Sequence, residues 1–453
     1  MASPLAYPST SGKDLESPRS WGSGPTNATG ATASDTTVHL GLPTEVASDL
    51  VRVYFDTIQT WLPMLHRPRF YGRFMTGASL SKMDGYALEE GLLLHGMFAL
   101  AARHSRHPYF PPTDLPNRGQ PYAARAMMLY DKARHELEPS LTYLQGCILL
   151  AFYMGVAQPG PRSWILTGVC VRMAYELELD VIDDLDLPMP AASQWSEHEE
   201  FRRAWWLVWE LDTFCSTVTE RPFCIDRRRV SVRLPVSDDA WFADAPLISP
   251  VISTKPSELW KTLQDSGNQS ERAWFLVANV LLMLAADLTQ RGNRDDSAAE
   301  RDELASGVTC FSLLLAKRRR MDTHSVSQKD SPASRNWLLG AQLFITTVKA
   351  TLHPFADHSV SEMQPRLSMA AEYRSIISNW PPDDIPLSHP FIACTMLPAA
   401  RSSGTIPNAI HEDMCSLVLG QFAEIWPLGA MLQSESTRAL NKYLLISWQS
   451  CVV

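Results

Sequence analysis

The chain has 453 residues, 45% of them hydrophobic, with 14 tryptophans and a formal net charge of −9. That composition supplies a large core and excludes a chain disordered throughout. The acidic balance excludes broad affinity for phosphate backbones, which needs clustered Lys and Arg.

Residues 1–40 hold 21 Ser, Thr, Gly or Pro. Such a segment buries too little apolar surface to offset its ordering entropy, so residues 1–41 are expected to form a disordered tail. No apolar run follows a basic end between Met1 and Leu15, and no secretory signal is read there. Helical periodicity then predicts helices over Thr44–Leu62, Tyr86–His104, Tyr122–Glu138, Ser140–Val156, Arg162–Leu179 and Ser196–Thr219. Pro139, Pro159, Pro161 and Pro188 punctuate them.

The last of these helices is the most informative text. Ser196 and Glu199 have capping-box spacing, which predicts the helix start there. Phe201, Trp205, Val208, Leu211 and Cys215 recur at three- and four-residue steps, giving one apolar face. Trp205, Trp206 and Trp209 cannot share a single face, so this helix is expected to be packed on more than one side. Arg202 and Arg203 are expected to lay their stems over rings while their guanidinium groups stay wet. Pro222 stops the helix.

Beyond it, Ser231–Val236 reads as extended chain, and a Pro-rich bridge runs from Pro235 to Pro256. Further helices are expected over Glu271–Arg291, Arg301–Arg320, Asn336–Leu352, Gln364–Trp380, His411–Trp426 and Ser434–Trp448. Arg291–Asp302 reads as a charged solvent loop or helix end. Ala273–Leu288 comes nearest to a membrane span but contains Asn279 and Asp287, so no membrane contact is expected. No strand alternation is sustained; the fold class is all-α.

Several constellations bear on chemistry. Asp183, Asp184 and Asp186 resemble an acidic metal motif, and Asp212, Ser216 and Glu220 stack oxygen ligands at helical spacing, as an all-helical terpene-cyclase type enzyme would require. The residue beside Asp212 is Thr213 rather than a second Asp, and the two groups lie only one helix apart. Asp183–Asp186 therefore reads as a solvated loop. His104 with His107, His135 with Glu136 and His198 with Glu199 lack zinc-protease spacing and read as surface histidines. No nucleophile elbow, glycine-rich phosphate loop or dinucleotide fingerprint occurs. No catalytic, cofactor-binding or metal residue is assigned, and the chain is expected not to be an enzyme. Arg227, Arg228, Arg229 and Arg233 read as solvating the turn after the helix. Lys317, Arg318, Arg319 and Arg320 end a helix that begins with acidic residues, which suits the helix dipole, and they are also the nuclear-import candidate.

The text Arg202-Arg203-x-Trp205-Trp206 running through Asp212 to Arg221-Pro222 resembles a signature of the fungal-specific transcription factor domain, the regulatory region of binuclear zinc-cluster factors. Glu220 stands where that signature has Gly. Tyr54-Phe55 followed by Trp61–Phe70, Leu93–Ser105, and Ser163-Trp164 through Leu177-Glu178-Leu179 resemble further blocks of the family, in order. The resemblance implies a large multi-helix regulatory domain, with residues 42–240 as the homology region and 241–453 as the C-terminal helical part. It implies transcriptional regulation in the nucleus, with the cytoplasm as alternative, possible control of a secondary-metabolite gene cluster, a small-molecule effector, and homo- or heterodimerisation with a zinc-cluster factor. A zinc cluster needs six thiolates in paired motifs. Here the eight cysteines begin at Cys147, no two are three apart, and they read as small core residues. No zinc is therefore expected in this chain unless a cluster lies upstream, and DNA is expected to be met only indirectly. The alternatives are a terpene-cyclase type enzyme or a partner-binding module with no direct role on DNA.

Overall fold

The computed structural model describes residues 37–439, apart from 78, 81–84, 112–114, 116, 185–191, 220, 228–229, 254, 292–296, 325–330, 353–359 and 397–408. The expected tail lies outside them up to residue 36. Order begins inside its expected bounds, because Val38 is buried and exchanges both backbone hydrogen bonds with Tyr86.

Helix α1 (Thr44–Val53) continues into a π-helical turn, Tyr54–Ile58, so the expected Thr44–Leu62 helix is one path with a changed winding. A short helix follows, α2 (Arg67–Phe74), with His66 as its N-cap accepting from the Arg69 N–H. Periodicity missed it because its eight residues include three Arg and Pro68. A two-residue hairpin, Met75–Thr76 with Ser79–Leu80, is the one sheet among the described residues. Next come α3 (Leu88–Ala101), α4 (Gln120–Glu136), α5 (Leu141–Ala157), α6 (Pro161–Glu176) and α7 (Ala192–Thr219). α3 and α5 are apolar all round and are buried almost end to end. Their backbones approach closely at Gly96 and Gly146: a Cβ there would come within 2.8 Å of Leu149 and 2.7 Å of Leu92 respectively. Helix α7 packs on α5 and α6, and its far end touches the second half of the chain.

That half holds α8 (Asp238–Phe242), α9 (Glu271–Arg291), α10 (Ser297–His324), α11 (Pro332–Leu352), α12 (Val360–Ser378), α13 (Ala409–Ile425) and α14 (Pro427–Ala439), with 3-10 turns between several of them. By length and composition α9 alone among the described helices could cross a membrane, yet it is buried along α11 as a core helix. Extended pairing appears where expected, with Arg233 bridged to Val251 and Leu234 donating to the Pro250 carbonyl. One continuous apolar core links both halves, and a small satellite of Trp195, Val236 and Trp241 sits beside it.

Two local expectations are corrected. α7 starts at Ala192, so Ser196 and Glu199 are interior positions rather than a capping box. Ser196 instead accepts from the Arg69 guanidinium and, through its carbonyl, from Trp241 Nε1 at 2.9 Å. The Ser434–Trp448 helix is shifted: α14 begins at Pro427, whose missing N–H suits a first helical position, and residues past 439 lie outside the described ones.

Candidate functional site

The signature residues form a buried charge lattice rather than a wet surface. Arg202 holds Asp183 bidentately, with both N–H···O distances 2.6 Å, and also reaches Glu199. Arg203 donates to Glu199 at 3.1 Å, to Asp238 at 2.5 Å, and to the carbonyls of Pro63 and Val236. Its guanidinium stacks 4.0 Å above the Trp241 ring. Both arginines are at most 3% exposed, which corrects the expectation of wet guanidinium groups. Arg203 does lie over a ring, but carboxylates, Glu199 and Asp183 among them buried, hold the charges. Burial pushes the Glu199 carboxyl up, and the two arginines pull it down. Asp183 is buried too, accepts from the Arg233 N–H, and is therefore no solvated loop. Asp186 lies outside the described residues.

Trp205 and Trp206 are fully buried, and Trp206 Nε1 donates to the Arg233 carbonyl at 2.8 Å. Asp212 folds the turn after α7: its carboxylate accepts from the N–H groups of Cys224 and Ile225 and from Ser216 Oγ. Arg221 stacks 4.6 Å over the Trp164 ring, and the Pro222 carbonyl accepts from Ser216. Asp212 is thus spent on backbone and is not open to a metal; Glu220 lies outside the described residues. Among the described residues no cluster of three or more His, Cys, Asp or Glu is placed to hold a metal.

The histidines divide. His135 is exposed, His107 and His198 are half-buried, and burial holds His104 down to about 4. His104 is half-buried as well and packs edge-on to Trp426. Arg227 pairs with Asp287 at 3.1 Å and caps the Phe223 ring, and Arg233 lies beside Asp183, so these two brace the turn rather than solvate it. Arg228 and Arg229 are outside the described residues. Lys317, Arg319 and Arg320 are exposed on α10, whereas Arg318 is half-buried and pairs with Glu271.

Sequence reading missed the buried pair that joins the halves. Arg272 of α9 holds Glu210 of α7 bidentately, with His389 3.8 Å from the same carboxylate and burial pushing that imidazole well below its ordinary range. A lone Glu amid the tryptophans of α7 was the available signal.

Beside this lattice lies a cleft of about 420 Å³ formed by α2, α3, α5 and α7. Phe70, Phe74, Leu93, Leu141 and Phe201 supply its apolar walls. Arg69, Arg73, Gln145, Glu197 and Glu200 supply its polar ones. Gln145 donates to Glu200 at 2.9 Å, while Arg69 approaches the other oxygen of Glu200 at 3.5 Å. Burial pushes the Glu200 carboxyl upward. The size and mixed lining suit a small organic ligand, and the cleft holds no nucleophile–base pair.

Comparison with known proteins assigns the same region. Residues 51–248 match the family model described as the fungal specific transcription factor domain. The tropolone cluster transcription factor tropK of Talaromyces stipitatus is 23% identical over 338 residues, covering 72% of this chain and 56% of its own. Transcription factor tazR of Aspergillus terreus is 25% identical, covering 47% of this chain and 32% of its own. The ascochitine biosynthesis cluster transcriptional regulator of Didymella fabae is 24% identical, covering 47% and 35%. The chain thus spans about a third to just over half of these relatives' length.

Proposed function

We propose, from the premise that residues 51–248 are a fungal specific transcription factor domain, that this chain regulates transcription of a secondary-metabolite gene cluster by binding an effector and a protein partner. The observation that carries the reading is the match itself, and within the matched span Arg202, Arg203, Trp205, Trp206 and Asp212 are all buried along α7. Relatives named as regulators of tropolone and ascochitine clusters support the cluster-level role. The cleft of about 420 Å³ between α2 and α7 is where the effector would act, because its walls are the same helices that carry the lattice. A ligand there presses on α7 directly, and through Glu210 and Arg272 on α9. The terpene-cyclase alternative is disfavoured by chemistry: Asp183 and Asp212, the oxygens it needs, are already committed to Arg202 and to backbone N–H groups.

In this reading the protein works in the nucleus, and Lys317, Arg318, Arg319 and Arg320 are its import candidate. A dimer with a zinc-cluster factor would supply DNA contacts. The test is transcript profiling after deletion and after overexpression of the gene in its host. A change concentrated in one contiguous group of biosynthetic genes supports the proposal. Unchanged transcripts, together with turnover of a prenyl diphosphate by the purified chain with Mg²⁺, would overturn it.

A further inference from the structure

Helix α2 writes two different surfaces into the cleft at the same four-residue step. Phe70 and Phe74 point an apolar, aromatic wall into it, and Arg69 and Arg73 place guanidinium groups at its edge. These arginines differ from Arg202 and Arg203, which are buried and saturated. The Arg69 side chain is 36% exposed; one terminal nitrogen donates to Ser196 Oγ, and the other only approaches Glu200, at 3.5 Å, the limit of a hydrogen bond. Arg73 is 53% exposed, pairs with Glu90 at 2.9 Å, and is steadied by stacking 5.0 Å over the Phe74 ring. Each guanidinium carries more N–H donors than these described contacts use.

The carboxylates of the cleft are less available than the arginines. Glu200 already accepts from Gln145, and burial makes it easier to protonate. Glu197 is exposed, where water screens it. A cation would therefore find one screened carboxylate and one committed one. An anion would find two forked donors beside aromatic and aliphatic walls, the arrangement that recognises a carboxylate on an apolar body.

We propose that the cleft between α2 and α7 binds an organic acid with an aromatic body, its carboxylate held by Arg69 and Arg73 and its ring packed against Phe70, Phe74 and Phe201. This names the ligand class for the effector role proposed above and rests on that reading. The ligand's carboxylate would replace Glu200 as the partner of Arg69, leaving Glu200 to Gln145. Binding thereby replaces one of the two ties from Arg69 to α7 while the one to Ser196 stays, and α7 senses occupancy through Glu200.

The test uses three probes of one shape and different charge: 2-naphthoate, 2-naphthylmethanol and 2-naphthylmethylamine, titrated by calorimetry into the full chain. The expected result is a dissociation constant for naphthoate below about 1 mM, with the alcohol and amine at least about tenfold weaker. Arg73→Gln, at an exposed position, should weaken naphthoate about tenfold without changing the alcohol. Thr142→Trp, from a half-buried residue lining the same cleft, should abolish naphthoate binding while circular dichroism and melting stay those of a folded chain. If Thr142→Trp unfolds the protein, the Arg73→Gln comparison decides alone. Equal or tighter binding of the alcohol or amine overturns the proposal. So does the absence of naphthoate binding, or binding indifferent to both substitutions. A chain that binds no naphthoate yet still changes cluster transcripts loses this proposal alone and keeps the regulatory reading.

Discussion

Arg203→Ala is the most demanding perturbation of the lattice. Arg203 is 2% exposed and joins four groups from three parts of the chain: Glu199 within α7, the Pro63 carbonyl before α2, and Asp238 with the Val236 carbonyl beyond the signature turn. Its removal leaves Glu199, 0% exposed, with only the longer 3.4 Å contact to Arg202 and the Val236 N–H. Breaking a buried charge pair in this way costs about 3–5 kcal/mol. Two buried carbonyls lose their donor as well, at about 1 kcal/mol or more each. The Trp241 ring loses the cation above it, worth about 1–2 kcal/mol when desolvated. These terms overlap, so the expected loss is about 4–6 kcal/mol, a large share of the stability of an ordinary domain. Urea unfolding followed by tryptophan fluorescence measures it, with Arg106→Ala at an exposed site as a control expected within about 0.5 kcal/mol of wild type. Arg203→Lys should recover only part of the loss, because one ammonium cannot span the four partners. An Arg203→Ala midpoint within error of wild type would refute the lattice as the brace between α7 and its surroundings.

Trp205→Ala and Trp206→Ala should each cost about 3–5 kcal/mol, since both rings are fully buried; melting temperatures equal to wild type would contradict the packing described. Asp212→Asn presents an amide N–H₂ toward two backbone donors, so thermal unfolding should show a loss of about 1–3 kcal/mol, and an unchanged midpoint would mean that the turn does not depend on that carboxylate. His104 is held down to about 4 in the fold and titrates near 6.5 when unfolded. The unfolded chain therefore takes up the extra proton, and stability falls as pH drops from about 6.5 toward 4. At pH 5 that is about 2 kcal/mol, which His104→Gln should remove from the pH profile of the urea midpoint. The purified chain alone, with net charge −9, should give no sequence-dependent shift of duplex DNA at physiological salt; a nanomolar, sequence-dependent shift would contradict this.

Most of the helical path was legible because long elements such as α5, α7 and α9 carry sustained apolar periodicity or continuous apolar text. α2 was not, since its Arg69, Phe70, Arg73 and Phe74 serve two surfaces at once, and eight residues give periodicity too little length. The signature residues were legible as a group, but their environment was misjudged. Glu199, one turn back, was read as a capping residue rather than as the partner of Arg202 and Arg203, and their other carboxylates are far away in sequence. Asp183 and Asp238 lie 19 and 35 residues from the arginines they bind, so no local rule pairs them. The same distance hid Glu210–Arg272, separated by 62 residues. The cleft was illegible for a further reason: its walls come from four helices, and each contributes only a few side chains to it.

The claim that most needs testing is that the chain acts on transcription. Genome-wide transcript profiling in the host, comparing wild type, a deletion strain and that strain restored with the full gene, reads it directly. One contiguous biosynthetic group is expected to change on deletion and to return on restoration. Identical transcript profiles in all three strains would contradict it.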